Sequence, residues 1–213
     1  PVLLRERLWE SLFYLHSQPP LFNLFLGLVL NLFPDGYHDA FWGIYLLLGL
    51  GVYLALFALM RRLGMGRPLA LLLSTLYVAS PAVVLYEHLL FYTFPVTVLL
   101  VLSAVAFEAV LKKQQAWRAF GFFFILLLLG GTRNLFHPVH FLLSGALLLA
   151  ACWQVRVRML LAAALPLARL LASPLKSYLL FDHFPSSTWQ GMYLARVTVR
   201  YMPPAERAAL SES

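Results

Sequence analysis

Three polar clusters interrupt an otherwise apolar chain, and their residue types suit phosphate and proton chemistry. The segment His16-Ser17-Gln18-Pro19-Pro20-Leu21-Phe22-Asn23 places a proline pair at the start of a short apolar run. Proline is pre-organised for the first helical turn, so this is either a plain helix start with a polar cap or a rigid elbow that aims His16 and Gln18 at a membrane-surface site. The second cluster, Tyr86-Glu87-His88 with Tyr92, sets a carboxylate between two hydrophobic runs. Such a group is costly unless it faces water or a partner, which makes Glu87 a functional candidate, with an ordinary turn acid as the alternative. In the third, Thr132-Arg133-Asn134 through His137-Pro138, an arginine separates two apolar runs. Its forked guanidinium either snorkels to the interface or faces a cavity and pairs with a phosphate. Lys176, beyond the last apolar run, belongs to the same face. His137 and His140 can share a helix face, but no HExxH pattern accompanies them, and neighbouring side chains such as Glu87 and His88 diverge on a helix.

The elements that must hold these groups are set by composition. Of the 213 residues, 62% are apolar and 12% charged, against about 45–50% and about 25% in soluble domains. A mean hydropathy of +0.79 agrees with an all-α, polytopic transmembrane bundle. One cysteine, Cys152, excludes a disulfide framework and a multi-cysteine metal cluster. Runs of spanning length cover 40–60, 69–86 and 89–111. Residues 21–33 are too few to cross and read as an interfacial juxtamembrane helix. Residues 119–153 read as two short helices meeting at the Arg133 turn, and 159–172 as a further short run containing Pro166 and Arg169. From Pro174 onward the mixed composition predicts loops.

Charge gives the orientation. Arg61, Arg62 and Arg67 lie in one connection, Lys112, Lys113 and Arg118 in another, and Arg156 and Arg158 in a third, whereas 34–39 and 86–88 carry Asp35, Asp39 and Glu87 and no Lys or Arg. The positive-inside rule makes the basic connections cytoplasmic. Residues 1–39 are then an extracytoplasmic juxtamembrane segment, 40–172 a transmembrane region of about six spans, some short, and 173–213 an extracytoplasmic segment. A spanning 21–33 would instead put the N-terminus, with Arg5 and Arg7, in the cytoplasm. The sequence pI of about 9.8 thus has a topological origin, and with no basic patch gathered on one solvated surface nucleic acid is not expected as a partner. Beginning at Pro1 and ending at Ser213 without a closing element, the chain reads as an internal piece of a longer one.

The order H-x-Q-P-P-L-F before a short helix, Arg-Arg-Leu-Gly at the end of a span, Ser80-Pro81 followed by Glu87, and a later Thr132-Arg133 turn resembles the integral-membrane C superfamily of glycosyltransferases. That family includes the protein O-mannosyltransferases and the aminoarabinose transferases of lipid A. The resemblance spans roughly residues 9–172. It implies transfer of a sugar from a polyprenyl-phosphate carrier to an acceptor on the extracytoplasmic face, in a bacterial inner membrane or the endoplasmic reticulum, with membrane lipids as further partners. Pro19 and Pro20 match the proline pair of the family's juxtamembrane helix, but Gln18 stands where the lipid A enzymes have a phosphate-contacting lysine. The resemblance gives Arg133, in place of that family's Thr-Lys turn, the missing positive charge, and sets Glu87 near an acceptor or divalent-metal site. His16, Gln18, Glu87, Arg133 and Lys176 are therefore the expected substrate-binding residues. The family's catalytic aspartate precedes the proline pair, whereas the first aspartate here is Asp35, so the general base is expected upstream of Pro1. The rival readings are a transporter or lipid flippase lined by Arg133 and Gly130-Gly131, and a non-catalytic membrane subunit.

Overall fold

The computed structural model describes residues 2–15, 18–133, 136, 138–181, 196, 198, 201 and 202. Among them the regular elements are helical: α1 (Val2–Glu6), α2 (Leu8–Tyr14), α3 (Leu21–Leu32), α4 (Tyr37–Arg62), α5 (Arg67–Val78), α6 (Pro81–His88), α7 (Thr93–Lys113), α8 (Ala116–Thr132), α9 (Pro138–Ala151) and α10 (Arg156–Phe181). With 26 and 21 residues, α4 and α7 reach about 39 and 32 Å, enough for a hydrocarbon core of about 30 Å. They are the two described helices that are long and apolar enough to cross a membrane alone, and up to four spans result if the bent pairs α5/α6 and α9/α10 each count as one. The short helix expected over 21–33 forms as α3, with 12 residues.

Two expectations from the sequence change. Residues 69–86 do not make one straight span, because α5 and α6 meet at a 54° bend. Proline at 81 bars the helical region to Ser80, which sits at φ −65°, ψ 141°. Conversely, Pro174 does not open a loop, and the boundary at 172 falls inside a helix. The 26-residue α10 runs through both Pro166 and Pro174. Its buried positions, Met159, Ala162, Pro166, Leu170 and Pro174, recur every three or four residues and form one stripe, which packs mainly on α8. Burying that stripe offsets the backbone hydrogen bonds the prolines forfeit.

The largest core joins α7, α8, α9 and α10 around Phe122, Phe123, Leu126, Leu129, Phe141 and Leu148. A second gathers Tyr45, Val52, Val83, Phe94 and Val98 between α4, α6 and α7, and a third ties α3 to α4 through Val29, Leu30 and Phe41. Outside these cores, Leu47, Leu54, Leu143, Leu147, Leu161 and Leu165 are exposed. An apolar surface of that extent suits lipid rather than water.

The C-terminal ends of α4 and α7 are locked by Glu108, which accepts Arg62 Nη1 at 3.3 Å and Lys112 Nζ at 2.5 Å. Gly64 then turns the chain with φ +92°, and its N–H and that of Met65 bond to the carbonyls of Arg61 and Met60. Only glycine takes that left-handed position cheaply. Since Arg158 lies beside Trp117 at the start of α8, the basic connections share one end of the bundle.

Candidate functional site

The opposite end is organised around the start of α3. Pro20 caps the helix in a helical conformation, with its carbonyl accepting from the Leu24 N–H at 2.8 Å, and Pro19 is buried. Gln18 Nε2 donates to Asn23 Oδ1 at 3.3 Å, which closes the first turn. Lys176 on α10 donates to the carbonyls of Phe13 at 2.7 Å and Leu15 at 3.2 Å, so it fastens the end of α2 to the bundle.

Behind this elbow lies a cavity of about 400 Å³, bounded by Trp9 and Phe13 of α2, Pro19 and Pro20, and the last turns of α8. Its charged lining residues are Arg169 and Lys176, and no carboxylate lines it among the described residues. Seven residues apart on one helix, the two cations project on the same side. Gly130 and Gly131 belong to α8 rather than to the turn. A Cβ on Gly130 would meet Leu170 Cδ1 at 2.6 Å and the Phe136 carbonyl at 3.0 Å, and one on Gly131 would approach Leu21 Cβ at 3.4 Å. The pair lets α10 and α3 close on α8.

Arg133 lies on another side of the elbow. Its backbone N–H bonds to the Leu129 carbonyl at 3.1 Å, and its half-buried guanidinium covers the Tyr92 ring at 5.2 Å. Phe22 of α3 meets Tyr92 edge-on at 5.9 Å. Arg133 is thus held by aromatic contact, with no carboxylate paired to it among the described residues. Glu87 is farther round the bundle. Half-buried, it presses its Oε1 against Gly49 of α4, where any Cβ would overlap it. Tyr45 closes that region, stacking on Phe94 at 5.7 Å and donating its hydroxyl to the Phe91 carbonyl at 2.9 Å.

The elbow therefore brings Gln18, Lys176 and Arg133 around the first turn of α3, while Glu87 belongs to the packing between α4, α6 and α7. His16, Asn134 and His137 lie outside the described residues. His140 packs edge-on to Phe136 at 5.2 Å, and no described group of three His, Cys, Asp or Glu residues can hold a metal. Sequence reasoning passed over Arg169 as a cavity residue. Its seven-residue spacing from Lys176 is the available signal, hidden in the sequence by Pro174, which reads as a breaker. Compared with family models, curated proteins and solved structures, the chain matches none.

Proposed function

We propose that this chain is part of a membrane glycosyltransferase that takes a sugar from a polyprenyl-phosphate carrier and passes it to an acceptor on the extracytoplasmic face. The observation that carries this reading is the apolar cavity behind the proline elbow, whose charged lining residues are the cations Arg169 and Lys176. An isoprenoid phosphate has the same two-part chemistry, an apolar chain and an anionic head. In the transfer, a base takes the acceptor hydroxyl proton, the acceptor oxygen bonds to the anomeric carbon, and the carbon–oxygen bond to phosphate breaks with its electron pair leaving on the phosphate. Positive charge fixed beside that oxygen stabilises the leaving group. Arg169 is free for this role, with no hydrogen bond or ion pair among the described residues, whereas Lys176 keeps one of its three protons beyond those given to Phe13 and Leu15.

Arg169 therefore gives the cleaner test, since removing it leaves the α2 anchor intact. Binding of polyprenyl phosphate to the purified protein should weaken about tenfold in Arg169→Gln, the loss expected for one charge-assisted contact. Binding of the uncharged polyprenol should hardly change. Equal loss for both lipids, or none for either, would remove the phosphate from this cavity and the donor assignment with it.

A further inference from the structure

At the basic end, α8 and α10 run in the same direction. Arg158 and Leu161 lie beside Trp117 and Phe120, and Leu170 reaches Gly130 twelve residues farther along α10. Two helix N-termini thus sit side by side, and neither has an acidic residue in its first turn. Each instead bears arginines, Arg118 on α8 and Arg156 and Arg158 on α10. Partial positive charge at both helix starts and full positive charge on their side chains make this end attractive to an anion. The described residues supply none. Glu108 is already held by Arg62 and Lys112, and no described carboxylate pairs with Arg118, Arg156 or Arg158.

Between the two helices lies an open groove of about 350 Å³. Its walls are Ala116, Trp117, Phe120, Leu161 and Ala162, with Arg158 as the charged lining residue. Arg118 is outside the groove's lining, with its guanidinium over the Trp117 ring at 4.8 Å and its Nε donating to Gln115 Oε1 at 2.9 Å. On the neighbouring turn Arg156 covers Trp153 at 4.2 Å. Tryptophans 67% and 63% exposed, each beneath an arginine, are placed as side chains at a headgroup boundary are. Below them Leu161, 72% exposed, continues the apolar wall toward the hydrocarbon.

We propose that this groove binds one anionic phospholipid of the adjoining leaflet, with its phosphate on Arg158 and an acyl chain along Phe120 and Leu161. The charge complementarity selects an anionic headgroup, and the apolar floor selects a lipid over a free phosphate. This site is independent of the glycosyltransferase reading, being at the other end of the bundle from the proline elbow.

The test uses the intact protein and phosphatidylglycerol or phosphatidylcholine of identical acyl chains, with binding read by native mass spectrometry and by thermal stabilisation. Phosphatidylglycerol should bind at least about tenfold more tightly than phosphatidylcholine. Arg158→Ala should abolish most of that preference, Arg158→Lys should retain part of it, and inorganic phosphate should not substitute for the lipid. Equal binding of the two lipids, or an Arg158→Ala protein with the preference intact, would overturn the site. Should that variant not accumulate, a photocrosslinking residue at Phe120 of the parent protein decides the same question. Crosslinking to phosphatidylglycerol in excess over phosphatidylcholine supports the groove, and equal or no crosslinking to both rejects it.

Discussion

Arg133 and Arg169 differ in what already occupies their charge. The guanidinium of Arg133 rests on Tyr92, a contact worth about 0.5–1 kcal/mol at an exposed site and about 2 when desolvated. A phosphate on its open edge would add a charge-assisted hydrogen bond of about 1.5–3 kcal/mol. These magnitudes separate an anchor from a ligand. If Arg133 binds the carrier phosphate, Arg133→Gln and Arg133→Ala should lose about tenfold or more in transfer rate and carrier affinity, at equal expression, while Arg133→Lys keeps part of both because charge survives without the fork. Tyr92→Leu should give a smaller loss by freeing the guanidinium from its platform. Three Arg133 variants with parental activity would leave the residue as an interfacial anchor and leave Arg169 and Lys176 as the cations to consider.

At the scale of elements, the proline elbow sets the approach of α3 to the cavity, because Pro19 and Pro20 both line it and Pro20 starts the helix. Replacing both by alanine removes the preset backbone but no charge. Insertion and expression of the Pro19→Ala/Pro20→Ala protein should stay near the parent level while transfer falls about ten- to a hundredfold, as misplacement of a positioned group does. Parental turnover would reduce the elbow to a helix start. The elements themselves were unequally legible. Helices α4 and α7 could be read from apolar runs that end in basic pairs, since length and flanking charge are local properties. The bend at Ser80-Pro81 escaped a reading by hydropathy, to which one proline in an apolar run is nearly invisible. In α10 the opposite holds: Pro174 reads locally as a breaker, and only the packed stripe from Met159 to Leu170 keeps the helix together. The cavity was least legible of all, because Trp9, Pro19, Gly130 and Lys176 are separated by most of the chain and meet only through packing.

Cations lie at both ends of the molecule, but Arg61, Arg62, Arg67, Lys112, Lys113, Arg118, Arg156 and Arg158 cluster where α4 and α7 end, against Arg133, Arg169 and Lys176 near the cavity at the opposite end. That imbalance, more than any single residue, is the basis for expecting which side of a membrane each end faces. Arginines and lysines resist translocation, so the end bearing Arg62, Lys112, Arg118 and Arg158 should remain in the cytoplasm, and the proline elbow should face outward. Gly64 and Gln115 mark the basic end and Gly36 the other, and all three are exposed, so accessibility in the fold does not limit their labelling. The sole native thiol, Cys152, is buried and can be removed as Cys152→Ala. In that background, an impermeant thiol reagent applied to intact cells should label Gly36→Cys and leave Gly64→Cys and Gln115→Cys unlabelled until the membrane is opened. Labelling of Gly64→Cys in sealed cells would reverse the orientation. The elbow cavity would then open to the cytoplasm, where transfer to an extracytoplasmic acceptor is impossible, and the groove between α8 and α10 would meet lipids of the outer leaflet instead.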